Sequence, residues 1–458
     1  MKTDKKSEHV DVKRIAGKVS GAVAIATVSH EDESETDWGK FDEFHAFLKE
    51  NFPLVHETMT LEQVGKASLM FYWKGTDESL DPIAFLGHQD VVPIAEGTEG
   101  DWEHPPFSGY NDGKYIWGRG SLDMKNHLIC MMEAMELLLE EGYTPKRGIY
   151  LLLGHNEEIV AGSTNGARDM AALLKERGVH LDSLIDEGGA MMAVKGPMGL
   201  GFSFGGVGVS EKGYADVKVT VDGTGGHSSR PPKHTAVGLL ADKVHNLEAN
   251  PMEPHMTETL RGLMLALSDA LSLGLGVFPK LILKAPKLLT TVMAADVTGA
   301  AFVRTTHAVT MCEGSPAANV LPTSANCTIN FRIIQGDTVD DVLKHVEKCM
   351  GGKGTKIELV KGKEASITSP SDSRAYQTLK KTAQLYDKKN LIAPYLLVAG
   401  TDAEHYEVVC ENIYRFSPFS VPINLMLTTH STNEHCPVDQ LEQAVTFFKR
   451  YTRAMTAE

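Results

Sequence analysis

Five acidic or histidine side chains, His88, Asp123, Glu158, Asp186 and His435, each lie at the end of an apolar run or in a glycine-rich loop. A mixture of imidazole and carboxylate donors suits zinc, with cobalt or manganese as substitutes. In His88-Gln89-Asp90 the Asp90 carboxylate could accept the second ring N–H of His88 and fix its tautomer. The triplet is common by chance, so this spacing alone does not make a metal site. Asp123, in WGRGSLDMK (117–125), follows a glycine turn at the head of a helix, where a carboxylate also serves simply to stabilise the helix N-terminus. Glu157 and Glu158 are adjacent carboxylates after an apolar strand, a costly placement unless a cation or solvent compensates it. One of them could bind metal while the other holds the proton of a water; a solvated strand end is the alternative.

The elements that must position these residues alternate between strand and helix. The apolar runs 83–87 and 149–154 read as strands ending at His88 and just before Glu157, and LDSLID ends at Asp186. A helix over 37–50 is stopped by Pro53, Ser121 can cap the helix that follows it, and 165–177 is helical. Apolar strands separated by helices imply a mostly parallel sheet covered on both faces, with its site where the strands end. After the glycine-rich stretch 196–208 the texture changes to alternating strands at 214–223 and 326–333, helices at 234–249 and 338–350, and a strand at 355–360. The expected architecture is α/β: a mixed, mostly parallel catalytic sheet (1–210 and 364–458) with an inserted α+β, ferredoxin-like domain at 211–363.

Composition narrows the function. The 458 residues carry 45 basic and 60 acidic side chains, a net charge of −15, and no basic stripe that could track phosphates, so no nucleic-acid partner is expected. Six dispersed cysteines without a C-x-x-C pair argue against a disulfide framework, and the charged N-terminus lacks the apolar core of a secretory signal. A cytoplasmic location is the expectation. The weakly charged stretch 262–279 contains Asp269 and is short for a bilayer span, so no stable membrane insertion is expected.

The order of motifs adds a resemblance. GHQDVV (87–92), WGRGSLDMK, GHNEE (154–158), DEGG (186–189), GGHSSRPP (225–232) and NEHCPVD (433–439) together resemble the zinc aminoacylase/carboxypeptidase family, and within it the carboxypeptidase S and N-fatty-acyl amino acid hydrolase group. The resemblance implies two zinc ions per subunit, His88 and Asp186 on one, Glu158 and His435 on the other, and Asp123 bridging them. Glu187, next to Asp186, is the alternative ligand. Glu157 would be the general base for hydroxide attack on an amide carbonyl, with Asp90 behind His88. His227 would stabilise the oxyanion from a partner subunit in a homodimer, and Arg332, Asn319, Gly400 and Thr401 would grip the substrate carboxylate. The implied substrate is a small peptide or an N-acyl amino acid. A catalytically degenerate homologue that only binds metal or peptide is the competing reading, and the retention of Glu157 weighs against it. Residues 262–283 either pack as a helical hairpin on the inserted domain, build part of a dimer contact, or line a channel for a long acyl or bulky hydrophobic group.

Overall fold

In the computed structural model, residues 10–159, 164–189, 191–195, 201–275, 283–385 and 390–457 are described. Two compact units divide the chain. One runs to Val209 and takes up again with Ser369–Pro394 and Thr401–Glu458; the other is Ser210–Thr368 with Tyr395–Gly400.

Ile83–His88 and Ile149–Gly154 are buried along their whole length, as strands covered on both faces must be. They pair in parallel with His88 opposite Gly154, and Ser183–Asp186 and Ile413–Arg415 continue the parallel block. The expectation of a mostly parallel sheet holds only for this block. The hairpin Thr60–Val64/Ser68–Trp73 adds antiparallel to Ile149–Gly154, and Gly201–Glu211 adds antiparallel to Ile413–Arg415, within a nine-stranded mixed sheet. Hairpins need no helical crossover, which is why they attach at the margins.

Helices Val12–Val23, Lys125–Glu140 and Leu441–Thr456 bury apolar faces in the core around Phe85, Leu151 and Ile185. Two local expectations change. Pro53 opens a new helix, Pro53–Thr58, because a proline at the first helical position gives up an N–H that would be unpaired anyway. Ser121 does not cap the helix at Lys125; Met124 occupies that position without a side-chain cap, and Ser121 lies in the preceding turn, its N–H on Gly118 O.

The second unit is built on a four-stranded antiparallel sheet in the order Thr306–Glu313, Ser324–Ile333, Gly213–Asp222, Thr355–Lys363. Ala215, Val217, Val219 and Val221 alternate onto its buried face, where helices Ala236–Ala249 and Val339–Met350 cover them. The βαββαβ sequence of elements is the ferredoxin-like arrangement. Between the first helix and the second strand come the helices Glu258–Leu275, Pro286–Met293 and Val297–Val303. The apolar stretch is thus helical to Leu275, and 276–282 lie outside the described residues. No helix among the described residues is long and apolar enough to cross a membrane.

Candidate metal centre

The parallel block fixes where the first donors stand. His88 is the last residue of its strand and Glu157 and Glu158 follow shortly after Gly154 on the neighbouring strand, so the pairing itself brings them to one end of the sheet. Gln89 locks the register: its N–H bonds Gly154 O at 2.8 Å and its side-chain amide donates to Ala67 O and Leu153 O. Asp123 arrives from the glycine turn 118–120. Gly118 has φ +143°, and a Cβ there would meet Val23 Cγ1 at 2.5 Å and Pro106 O at 2.8 Å, so the turn needs glycine. Lys125, fully buried, donates to Ala22 O at 3.0 Å and to Ile25 O at 2.5 Å, tying the turn's exit to the end of the first helix.

Asp123 occupies the centre of the cluster. Its Oδ1 is 3.1 Å from His88 Nε2 and its Oδ2 is 3.1 Å from His430 Nε2. Glu187 Oε1 stands 3.1 Å from the same His88 nitrogen, and Glu158 stands 3.2 Å from that of His430. The groups His88–Asp123–Glu187 and Asp123–Glu158–His430 each place three donor atoms within 4.8 Å of one another, as does His88–Glu157–Glu158. On its other side His88 turns Nδ1 to Asp90 O at 3.0 Å, with Asp90 Oδ1 at 3.4 Å.

The electrostatics are those of a site built for positive charge. Burial raises the carboxyl pKa of Glu157, Glu158 and Glu187, the last to about 8 with Asp123 adding to the effect. Burial opposes charge on His88 as well, yet the carboxylates of Glu187, Asp123 and Asp90 outweigh it and hold its pKa well above the usual imidazole range. Hydrogen bonds to Asp123 and Glu158 push His430 up to about 10. Here the imidazoles balance a knot of half-buried carboxylates, and the donor set, three carboxylates and two imidazoles with Asp123 shared, fits a pair of divalent cations.

Asp186 and His435, expected as ligands, stand outside these three donor groups. Asp186 is buried at the strand end, but its Oδ1 accepts its neighbour's N–H at 2.8 Å, and Glu187 is the residue that reaches His88. The difference between the two neighbours has a simple cause: successive residues leaving a strand point to opposite sides. His435 begins the strand His435–Pro437, stacks on Trp117 with ring centroids 4.0 Å apart, and points Nδ1 at Asn433 O, 2.6 Å away. His430, five positions earlier, takes the place beside Asp123 and Glu158. It has φ +60° and Asn433 has φ +61°, a left-handed pair of non-glycine residues that folds the loop back on itself. The signal available in the sequence was a second histidine in TTHSTNEH; spacing could not choose between the two.

The remaining expected residues fall in both units. Thr401 is buried in the first, where its hydroxyl accepts the Ala403 N–H. In the second, His227 pairs with Val320 on a short ladder, and Ser228 N–H donates to Asn319 O at 3.2 Å, so these two loops meet. Arg332 is exposed, its guanidinium 5.0 Å from the Tyr214 ring centre. Gly400 lies in the same unit, near Glu211.

Comparison with known proteins gives the family of the chain. The family description "Peptidase family M20/M25/M40" matches residues 84–454. The chain is 35% identical over 439 residues to a probable carboxypeptidase S-like 2 of Dictyostelium discoideum, covering 95% of this chain and 83% of that protein. It is 35% identical over 457 residues to the N-fatty-acyl-amino acid synthase/hydrolase PM20D1 of Mus musculus, covering 96% of this chain and 88% of that one. An M20 family metallo-carboxypeptidase from Sulfolobus solfataricus has the same fold, with a TM-score of 0.67 at 17% identity over 96% of this chain and 98% of the other. A fold with its donors gathered at the strand ends, matched by a family description over most of its length, makes this chain a hydrolase of the metallopeptidase family M20/M25/M40.

Proposed function

We propose that the protein hydrolyses the amide bond of N-acyl amino acids or short peptides with a free carboxylate, using two zinc ions held by His88 and Glu187, by Glu158 and His430, and by Asp123 between them. The observation that carries this reading is Asp123, whose two oxygens face the two imidazoles 3.1 Å away on either side. Two divalent cations bound there would polarise the substrate carbonyl and make an attacking water acidic near neutral pH. Glu157 belongs to a donor group with His88 and Glu158, and burial raises its carboxyl pKa, as befits a base that must give its proton back. It takes the proton of the water and delivers it to the leaving nitrogen. Asp90 holds the His88 ring. His227 supports the oxyanion, and Arg332, with Asn319 and the Gly400-Thr401 loop, takes the substrate carboxylate in the two-pronged geometry that a guanidinium offers.

The names of the relatives, a carboxypeptidase S-like protein and an N-fatty-acyl-amino acid synthase/hydrolase, support a substrate with a free carboxylate. The experiment is a hydrolysis panel of N-acyl amino acids of increasing chain length and dipeptides, run with wild type and Glu157→Gln. Glu157→Gln should keep its metal while kcat falls by roughly 10²–10⁴. A kcat/KM that climbs with acyl length identifies an acyl pocket, each buried methylene adding ~0.8 kcal/mol; a preference for dipeptides returns the protein to a plain peptidase. Full activity in Glu157→Gln overturns the role of the base.

A further inference from the structure

His430 and Asp123 come from loops more than 300 residues apart in sequence, yet one buried side chain joins them. Glu434 is 0% exposed and directly follows the turn that carries His430. Its Oε1 accepts the backbone N–H of Leu122 at 2.9 Å and that of Asp123 at 3.3 Å. Its Oε2 accepts Arg119 Nη1 at 2.6 Å, and its backbone carbonyl accepts the Gly118 N–H at 2.9 Å. Four bonds therefore run from one residue to the turn 118–123. Arg119 is itself buried, its guanidinium 5.5 Å from the Trp102 ring centre and its N–H on Pro106 O, so the ion pair sits in a fixed frame.

We propose that Glu434 is a positioning residue that sets the Asp123 carboxylate against His430, and so governs how tightly the cation between Asp123, Glu158 and His430 is held. The proposal rests on the two-cation reading above. Asp123 has little freedom to adjust by itself, because both its oxygens are engaged and its peptide N–H is tied to Glu434. Glu434 touches no donor atom of the cluster directly; it acts on the backbone of Asp123 and, through the turn it follows, on His430. Partners of this kind outside the ligand shell are typically worth 10–100-fold in metal affinity or activity. Simple stabilisation of the fold would behave differently, lowering melting temperature without separating the two cation sites.

The test titrates metal-free wild type, Glu434→Gln and Glu434→Ala with zinc and, for its visible spectrum, with cobalt, alongside melting curves and kcat and KM at limiting and excess metal. Glu434→Gln keeps an acceptor for the Leu122 and Asp123 amides but loses the charge that faces Arg119. The expected result is two binding steps in wild type, with one step weakened several-fold in Glu434→Gln and about 10–100-fold in Glu434→Ala. The other step stays near wild type, kcat falls at limiting metal with KM little changed, and excess metal restores it. Either folded variant holding both ions as wild type does overturns the proposal, and so does lost activity that excess metal fails to restore while both steps are intact. If Glu434→Ala does not fold, Glu434→Gln decides by the same criterion. Wild type that takes up a single ion or none defeats the two-cation reading instead, before the variants are compared.

Discussion

The Asp90 carboxylate accepts the backbone N–H of Glu157 at 3.1 Å, and its second oxygen accepts that of Glu158 at 3.2 Å. Asp90 is therefore more than the partner of a histidine. The same carboxylate receives the Ser29 hydroxyl at 2.5 Å and lies beside His88 Nδ1, so a single buried side chain aligns an imidazole, a base and a carboxylate donor.

Replacing Asp90 by alanine should consequently reach further than a lost hydrogen bond to His88. Three backbone or hydroxyl donors would be left buried without a partner, each costing about 1–3 kcal/mol. The expected outcome is lower metal content together with a kcat at least ~10-fold down, read by elemental analysis and steady-state kinetics. Asp90→Asn should retain more of both, since its amide oxygen can still accept one of the two peptide N–H groups. Equal behaviour of the two variants would argue that Asp90 serves His88 alone.

The two histidines near the C-terminus give a sharper contrast. Chelation should abolish activity and added zinc, cobalt or manganese should restore it in wild type. His430→Ala should lose one ion and most activity, because His430 stands 3.1 Å from Asp123 and 3.2 Å from Glu158. His435→Ala should keep both ions and lose only the packing of a ring stacked on Trp117, seen as a drop in melting temperature. A metal-depleted His435→Ala with an intact His430→Ala would reverse the assignment.

That contrast also shows how far the sequence could be read. The meeting of His88, Glu157 and Glu158 at one end of the sheet is legible because a strand pairs in register and the residues after it have little choice of place. Asp186 and Glu187 defeat the same reasoning by one position, since a step of one along an extended chain reverses the side chain. His430 lies in a loop, and His435 in the strand just after it, whose path depends on two left-handed residues and on Glu434's bonds to a distant turn, none of which has a local pattern. The edge hairpin Thr60–Val64/Ser68–Trp73 has no clear sequence pattern for a related reason: its first strand is largely exposed and its turn rests on one residue, Gly65 at φ +63°.

In the inserted unit, pH reports on a buried cation. Lys212 is 3% exposed, and burial, with Arg332 adding to it, lowers its pKa to about 8; its ammonium donates to Arg304 O at 3.0 Å. The unfolded chain would titrate near ~10.4. Below pH 8 the group is charged in both states, so the whole cost of burying it is present, roughly 3 kcal/mol from the shift. Between these two values the unfolded state binds more protons, so the stability contributed at this site rises with pH. The difference in stability between Lys212→Met and wild type should therefore shift in favour of wild type from pH 7 to pH 10, measured by denaturant unfolding. A difference independent of pH would show that Lys212 titrates normally.

The last expectation concerns His227 and the assembly. The residue is exposed on a two-residue strand, and its Nδ1 accepts the Ser229 N–H at 3.1 Å, so its capacity to donate toward a substrate rests on Nε2. A donor to a developing oxyanion is worth about 10²–10³ in kcat, which His227→Ala should lose with its metal content unchanged. If the histidine serves the opposite subunit of a homodimer, an inactive Glu157→Gln protein supplies what an inactive His227→Ala protein lacks. An equal mixture, allowed to exchange subunits, forms about half mixed dimers with one competent site each, so activity should recover to about a quarter of wild type. Recovery should vanish when exchange is blocked by cross-linking beforehand. Exchange demonstrated by mass-tagged subunits without any recovery would place His227 in its own subunit's site.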